Sequence, residues 1–233
     1  SLLGLTFGCA RCHDHKYDAF SAREYYRMLS VFHSGDRTAG KLPSGEDGYF
    51  FHDFDTQVRT TWLFRRSDYY DRELEVKLGF PAILSAGRDA EDYWSDAKSV
   101  VSAPKSTLQR RALAEWITDE VHGGGALLAR VIVNRIWQHH FGYGLVRTES
   151  DFGVRGDAPT HPELLEALTS DFVAHGWQLK RLHRQMLSSR TWQQGSKMDS
   201  TGDTAQPLQA LVQATEVDPE NHWLWKMTPH RLE

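Results

Sequence analysis

The sequence predicts a mainly α-helical α+β protein, with a small β segment between an N-terminal piece and a C-terminal helical domain. Apolar residues recur at helical spacing from Leu108 onward, and a capping signal at Ser21 predicts an earlier helix. Between them, residues 49–84 are rich in aromatic and β-branched side chains, which favour strands. We therefore expect three parts: residues 1–35, residues 36–107 and a helical domain over residues 108–233 that is truncated at its C-terminus.

Composition narrows the possible partners. The 233 residues are 40% hydrophobic and 12% aromatic, which is enough to bury a core, and the formal net charge is −4. Lys and Arg are scattered among a slightly larger number of acidic residues, so we expect no nucleic-acid partner. No stretch approaches the roughly 18 apolar residues that span a bilayer. The chain begins at Ser1 without Met, and residues 230–233 look like the opening of a helix, so we expect a fragment.

A capping box is predicted at Ser21-Ala22-Arg23-Glu24, in which the Ser21 hydroxyl and the Glu24 carboxylate each bind the other residue's amide. A helix should follow it. The residues at helical spacing that we expect to face the core are Tyr25, Met28, Leu29 and Phe32.

The middle of the chain is expected to hold loops and a small sheet. Residues 35–48 are rich in Gly, Ser, Pro and charge and predict a surface loop. The best strand candidates are residues 60–64 and 76–78. Residues 85–107 are mixed and polar and are predicted to be a connector.

Helices are predicted over residues 108–118 and 126–141, the second with one broad apolar face and Gly142 as its left-handed cap. Thr160-His161-Pro162-Glu163 predicts a second capping box, with Pro162 in the first turn where a missing amide has no cost. Its core stripe would be Leu164, Leu165, Leu168 and Phe172, and a further helix is marked by Leu179, Leu182, Met186 and Leu187. Trp223 and Trp225 are expected to pack in a core or an interface.

One motif carries a specific chemical signal. The chain has two cysteines, Cys9 and Cys12, three positions apart and followed directly by His13. This is the spacing that attaches a c-type haem: the two thiols add across the two vinyl groups, and the adjacent imidazole reaches the iron as the proximal ligand. The sequence therefore predicts thioethers at Cys9 and Cys12 and an axial ligand at His13.

Two other interpretations of the motif stay open. The cysteines could form a disulfide, although the strand-helix context of that redox motif is missing. Alternatively Cys9, Cys12, His13 and His15 could hold zinc or another divalent metal, although four ligands within seven residues are cramped. The haem interpretation also leaves the sixth iron ligand to be identified. The candidates within the chain are Met28, His33, His52, His139 and His140.

The segment from Gly4 to Asp18 resembles the end of a planctomycete cytochrome-associated domain, domain of unknown function 1549, and Glu24-Tyr25-Tyr26-Arg27 fits it as well. Residues 134–142, 151–156 and 160–165 resemble the companion domain of unknown function 1553. The resemblance covers nearly the whole chain and is weakest over residues 35–107. It implies a large exported protein, often with a separate cytochrome c domain nearer its N-terminus, and hence a cytochrome-like character for residues 1–35. It implies no established activity.

A second candidate site is a polar set around the predicted helix over residues 126–141 and the turn after it. Its members are Asn134, Arg135, His139, Arg147, Asp151, Arg155 and His161. They could converge on a small anionic or polar ligand, or they could form a buried hydrogen-bond network that fixes a helix junction, which we favour. His140 lies on the apolar stripe and is expected to pack, while the neighbouring His139 could reach a ligand.

These observations give three hypotheses of function. The first is an exported haem-c protein that transfers electrons to a redox partner or an upstream cytochrome domain, located in the periplasm or cell envelope, where bacterial haem attachment takes place. The second is a non-redox binding or structural protein of the envelope, in which the motif holds a metal or staples a turn. The third and weakest is an enzyme that uses the polar set around Asn134 and Asp151.

Overall fold

A computed structural model describes residues 2–100, 105–195 and 206–228. Seven α-helices and four short strands occur in this part of the chain, which confirms the mainly α-helical α+β class. In chain order they are α1 (Ala22–Leu29), β1 (Gly35–Lys41), β2 (Asp47–Asp53), β3 (Thr61–Phe64), β4 (Arg72–Val76), α2 (Ala90–Val100), α3 (Gln109–Thr118), α4 (Gly125–Phe141), α5 (Pro162–Ala174), α6 (Leu179–Leu187) and α7 (Gln206–Val217).

The chain forms two compact units. The first contains residues 5–128, and the second contains residues 2–4 and 129–233, so the boundary falls inside α4. Helix α3 belongs to the first unit, where its fully buried Trp116 stacks on Phe80 with ring centroids 4.7 Å apart. The predicted division into residues 1–35, 36–107 and 108–233 is a different one and stays a prediction.

Helix α1 begins with the predicted capping box: Ser21 Oγ accepts from the Glu24 amide, and the Ser21 amide donates to Glu24 Oε2. The predicted core face is wrong, because Leu29 and Phe32 are 37% and 43% exposed while Tyr26 is 2% exposed. A 3₁₀ helix over Ser30–Phe32 follows α1 directly and turns the chain. Phe32 packs instead edge-on against Phe51 of β2.

The loop predicted over residues 35–48 is wrong, because most of it is the first β-hairpin. Strands β1 and β2 pair antiparallel from Gly35 opposite Asp53 to Lys41 opposite Asp47, and Gly45 turns the chain with φ of +88°. Both faces of this hairpin are largely exposed, so its side chains show no alternation of apolar and polar residues. The pattern that predicts a strand is therefore missing from the sequence.

The strand predicted over residues 60–64 is confirmed as β3, which pairs antiparallel with β4 and has an irregularity between Leu63 and Phe64. The second predicted strand overlaps β4 only at Val76, because β4 begins at Arg72. The expected small sheet is thus two separate two-stranded hairpins.

The predicted connector over residues 85–107 is wrong, because it contains α2. Asp89 Oδ1 accepts hydrogen bonds from the amides of Glu91 and Asp92 at 2.8 and 3.1 Å, which is the work of a helix cap. Ala90, Tyr93 and Ala97 form a narrow buried stripe at helical spacing. The many charged residues of the exposed face conceal this stripe in the sequence.

The second unit is a helical cluster, and its predicted helices are confirmed as α4, α5 and α6. Gly142 ends α4 with φ of +88°, as predicted. The capping box at Thr160 is wrong: His161 is the N-cap of α5 and makes no side-chain cap bond, while Thr160 donates its amide and hydroxyl to the Leu145 carbonyl. Pro162 does occupy the first turn.

The core of the second unit comes from the apolar faces of α4, α5 and α6 and the loop after α4. Its buried members are Ala129, Val133, Trp137, Phe141, Leu145, Val146, Leu165, Phe172, Leu182 and Met186. Leu179 and Leu187 of the predicted α6 stripe are instead 51% and 42% exposed. The helix opening expected at residues 230–233 lies outside the described residues. Among the described helices, none combines the length and the hydropathy that a bilayer crossing requires.

Candidate functional site

The segment with the two cysteines is a short surface turn. Phe7–Arg11 is a 3₁₀ helix with Cys12 as its C-cap, and the Cys12 amide donates to the Cys9 carbonyl. Residues three apart eclipse each other in this type of helix, so Cys9 and Cys12 lie on the same side. Both thiols are free and exposed. The turn therefore presents two thiols together to an external reactant, and the disulfide interpretation is not the state found in the structure.

The imidazole of His13 is held in one tautomer. His13 Nδ1 lies 2.6 Å from the Asp14 carbonyl oxygen. Because a carbonyl oxygen can only accept, Nδ1 must carry the hydrogen in the neutral ring, and the lone pair is left on Nε2. The side chain is exposed. His13 Nε2 is therefore oriented as an available ligand atom.

Hydrogen bonds hold the turn to the body of the first unit. The Tyr26 hydroxyl donates to the Arg11 carbonyl at 3.0 Å, and Arg11 Nε donates to Ser67 Oγ at 2.6 Å. Asp14 Oδ1 accepts from the Ala22 amide at the start of α1. Between the cysteines, Ala10 is completely buried, so the turn also packs against the protein through this side chain. The motif is thus exposed on one side and fixed on the other.

Glu24 contributes to the same support. Its second carboxylate oxygen, Oε1, accepts from the Ala82 amide at 2.8 Å, which ties α1 to the segment after β4. Partial burial acts to raise the pKa of Glu24, but the hydrogen bonds from Ala82 and Ser21 outweigh it, so the pKa is lowered. The carboxylate is therefore held in the ionised form that the capping box requires.

His15 stabilises the turn that follows. Its Nδ1 accepts from the Asp18 amide at 2.9 Å, and its ring packs edge-on against Phe20. The Asp18 carboxylate is also 3.4 Å from Nδ1, but an ion pair there would need a proton on the atom that accepts from the amide. We therefore assign the neutral ring, with its hydrogen on Nε2. In this arrangement neither His15 nitrogen offers a free lone pair to the alternative metal site.

The predicted sixth-ligand candidates are dispersed. In the first unit Met28 is half-buried on α1, His33 Nδ1 lies 2.9 Å from Thr61 Oγ1, and His52 Nδ1 lies 3.1 Å from Thr38 Oγ1. In the second unit His139 is exposed. Within the described ranges, no group of three or more His, Cys, Asp or Glu side chains is placed to hold a metal ion.

His140 has a partner that the sequence does not indicate. Its Nε2 lies 2.8 Å from Nδ1 of His183 on α6, and the ring of Trp192 packs edge-on against it. The packing role expected for His140 is thus combined with a polar contact between α4 and α6. The two histidines are 43 positions apart in the chain, so no local sequence pattern indicates their contact.

Within the predicted polar set, Asn134 is a structural clamp. It is completely buried, its Nδ2 donates to the Val146 carbonyl at 2.9 Å, and its Oδ1 accepts from the Val146 amide at 2.8 Å. Both ends of the amide are therefore used to fix the loop after α4. Asp151 also serves a turn, because its Oδ1 accepts from the Gly153 amide at 3.0 Å.

Arg147 and His161 lie beside the same C-terminal segment, residues 217–223. Arg147 Nη1 donates to Glu220 Oε2 at 2.9 Å, and its guanidinium lies over the ring of Tyr143. The ring of His161 meets that of Trp223 edge-on at 5.7 Å. Arg135 lies half-buried on α4, and Arg155 is exposed in the loop after Asp151. The structure thus groups two members of the set around a segment of which only Trp223 is singled out by the sequence.

This segment borders a cavity of about 390 Å³. His222 Nε2 donates to Glu220 Oε2 at 2.9 Å, and this bond, followed by the charge of Arg147, lowers the pKa of Glu220. Burial acts to raise the pKa of Asp218, but hydrogen bonds from the amides of Trp223 and His222 lower it overall. Both carboxylates of this segment thus already have partners among the described residues.

The fold and the exposed turn define a mainly helical chain of two compact units with a surface Cys-x-x-Cys-His segment. The chain belongs to the PSD1 family, a protein family of unknown function (DUF1553), whose model matches residues 109–233. Residues 1–37 match the model of a second family of unknown function, PSCyt2 (DUF1549). Both matches confirm the resemblance seen in the sequence. Neither the curated proteins nor the solved structures contain a match to this chain.

Proposed function

We propose that this chain is part of an exported redox protein that binds haem c covalently at Cys9 and Cys12, with His13 as the proximal iron ligand. The observation that carries the proposal is the arrangement of three unused groups on one turn. Two free, exposed thiols lie on the same side of a 3₁₀ turn, and His13 Nε2 is left with its lone pair by the bond from Nδ1 to Asp14.

Each side chain has a defined role in this proposal. The sulfur of each cysteine adds to one carbon of a vinyl group while its hydrogen goes to the other, so two thioethers form without any oxidant. His13 donates its Nε2 lone pair, and the Asp14 carbonyl keeps the ring in the required tautomer and orientation. When bound, the haem supplies one-electron redox chemistry. The Tyr26 bond to the Arg11 carbonyl and the Ala22 bond to the Asp14 carboxylate keep the three groups in position.

The exposure of the turn suits electron transfer to another protein. A redox partner, or an upstream cytochrome domain, could approach a haem on this surface without any rearrangement of the first unit. Covalent attachment also sets the location, because bacteria carry it out outside the cytoplasm. We therefore propose a periplasmic or envelope-associated protein.

The test is expression of the full chain in a bacterial periplasm together with haem-attachment machinery. We expect a haem-sized increment in the intact mass and a c-type pyridine haemochrome spectrum. The double variant Cys9→Ser, Cys12→Ser should lose both signals. His13→Ala should keep the mass increment and the pyridine haemochrome, because pyridine replaces the axial ligands in that assay, but it should change the absorption spectrum of the folded protein.

The matched control is His175→Ala, which removes an exposed imidazole of the second unit and should leave both signals unchanged. A wild-type chain without the mass increment would overturn the proposal. Elemental analysis of that same sample then separates the alternatives: a stoichiometric metal lost with Cys9 and Cys12 would favour a metal site, and its absence would favour a structural turn.

A further inference from the structure

The first unit contains a cavity of about 350 Å³ that is distinct from the cysteine turn. Its size falls at the lower end of small-molecule sites. Val76 and Leu78, both buried, form part of its apolar wall, and Trp94 forms an aromatic wall. The Trp94 ring is fixed, since its Nε1 donates to the Thr107 carbonyl at 2.7 Å and Lys98 lies against the ring.

A buried amide with unused capacity lines this cavity. Gln109, the first residue of α3, is 1% exposed, and its Oε1 accepts no hydrogen bond from any described residue. A buried polar atom without a partner is costly, so native proteins retain few of them. Gln185 Oε1 also lacks a partner, but the Nε2 of that amide donates to Asp171. The Gln109 side chain has no such role in the described fold.

Charged residues of both signs surround the cavity. Four charged residues are among those that line it: Glu75 and Glu91 are acidic, and Arg59 and Lys77 are basic. None of the four forms an ion pair within the part of the chain that the structure describes. Two positive and two negative charges balance, so the site favours a ligand that itself carries one charge of each sign.

We infer that this cavity binds a small zwitterion of the amino-acid type, with a dipeptide as the best fit. The ligand ammonium would pair with Glu75 or Glu91, and its carboxylate with Lys77 or Arg59. A peptide N–H would supply the donor that Gln109 Oε1 lacks, whereas a single amino acid would have to serve both Gln109 Oε1 and a carboxylate from the one position of its ammonium. An apolar or aromatic side chain would pack against Trp94.

The test is isothermal titration of the full chain with the dipeptide Ala-Phe, beside its N-acetylated and C-amidated forms and free phenylalanine. We expect the dipeptide to bind, and each blocked form to bind at least about tenfold more weakly because it lacks one charge-assisted contact. Free phenylalanine should bind about fivefold to tenfold more weakly than the dipeptide, because its one ammonium must serve both a carboxylate and Gln109 Oε1.

Two surface variants, Lys77→Gln and Glu91→Gln, should each weaken binding of Ala-Phe by about fivefold or more. Gln109→Met should weaken it by a similar factor, because it removes the buried acceptor. Lys180→Gln and Glu163→Gln, exposed charges of the second unit, are the matched controls. Because Lys77 and Glu91 are exposed, their variants keep the test valid even if Gln109→Met impairs folding. Absence of binding at millimolar dipeptide would overturn the inference, as would equal binding of the blocked forms or full affinity in both surface variants.

Discussion

Replacement of Asn134 by alanine tests whether the polar set after α4 is structural or ligand-binding. The variant removes both bonds to Val146, at 2.9 and 2.8 Å, and leaves a buried amide and a buried carbonyl without partners. Each orphaned group costs about 1–3 kcal/mol, so we expect the two together to lower the free energy of unfolding by about 2–6 kcal/mol. For a chain of this size that corresponds to a fall in Tm of about 4–24 °C.

The assay is urea unfolding of the full chain, followed by circular dichroism, together with hydrogen exchange at the Val146 amide. The exchange measurement is local: loss of the bond from Val146 to Asn134 Oδ1 should speed exchange of that amide more than that of amides elsewhere in the second unit. The matched control is Arg130→Ala, one turn earlier on α4, which removes a largely solvent-exposed ion pair with Glu166 and should cost no more than about 1 kcal/mol.

A result of less than about 1 kcal/mol for Asn134→Ala, with unchanged exchange at Val146, would refute this reasoning. It would show that the two bonds do not hold the loop and would return Asn134 to the candidates for ligand binding. A large loss in Arg130→Ala would refute it differently, because the sensitivity would then belong to α4 as a whole.

Two further predictions concern the carboxylates of Asp53 and Asp171. In urea unfolding, Asp53→Ala should lower the stability of the first unit by about 2–4 kcal/mol. The variant removes a buried carboxylate that accepts three hydrogen bonds from Ser106 and Thr107 and lies next to the Arg110 charge. A loss below about 1 kcal/mol would contradict this reasoning. Asp171 is bound through both oxygens by Arg181, and this contact lowers its pKa to about 2. The stability that its ionised form contributes is complete above its ordinary pKa and is lost as the pH falls toward 2. An NMR titration should therefore show its pKa rising in Arg181→Ala, and an unchanged value would contradict the assigned cause.

Asp53 illustrates a contact that no sequence pattern signals. Its side chain is 1% exposed and accepts from Ser106 Oγ, the Thr107 amide and Thr107 Oγ1, while Arg110 Nη1 lies 3.2 Å away without hydrogen-bond alignment. These partners are more than fifty positions away along the chain. In the sequence, Asp53 is one acid among many in a polar stretch, so its part in joining β2 to the start of α3 appears only in three dimensions.

Local signals predicted well those elements whose cause is itself local. The capping box at Ser21, the apolar stripe of α4 and the left-handed cap at Gly142 each depend on residues within a turn or two, and all three are confirmed. The second capping box fails for an instructive reason. Thr160 has the right residue type and spacing, but the Leu145 carbonyl, fifteen positions earlier, accepts its amide and hydroxyl and draws it away from the helix end.

The missed elements share a different cause. The sequence predicts loops in place of the first hairpin and α2. Hydrophobic periodicity detects only a contrast between an apolar and a polar face, and that contrast is weak where apolar residues are few or charged residues are many. A hairpin exposed on both faces has no such contrast. In α2 the buried stripe consists of Ala90, Tyr93 and Ala97, and two alanines add little hydrophobic signal even though they permit close packing against α3.

Saturation of hydrogen-bonding capacity separates structural from functional candidates in this molecule. Asn134 and Asp171 use both polar atoms of their side chains on partners within their own unit, and Asp53 uses Oδ2, which is how a group that holds the fold behaves. Among the described residues, the candidate sites offer unused groups: the two thiols and Nε2 of the cysteine turn, and Oε1 of Gln109. Asp53 Oδ1, Arg110 Nη1 and Gln185 Oε1 also lack hydrogen-bond partners, but other side-chain atoms of Asp53 and Gln185 are bound to neighbours. Those on the turn are exposed, so keeping them unpaired costs nothing and indicates only availability. Gln109 is buried, and its unpaired oxygen destabilises the folded chain unless a ligand supplies the missing donor. The cavity is thus marked by a missing hydrogen bond, whereas the turn is identified by the chemistry that its three groups can perform together.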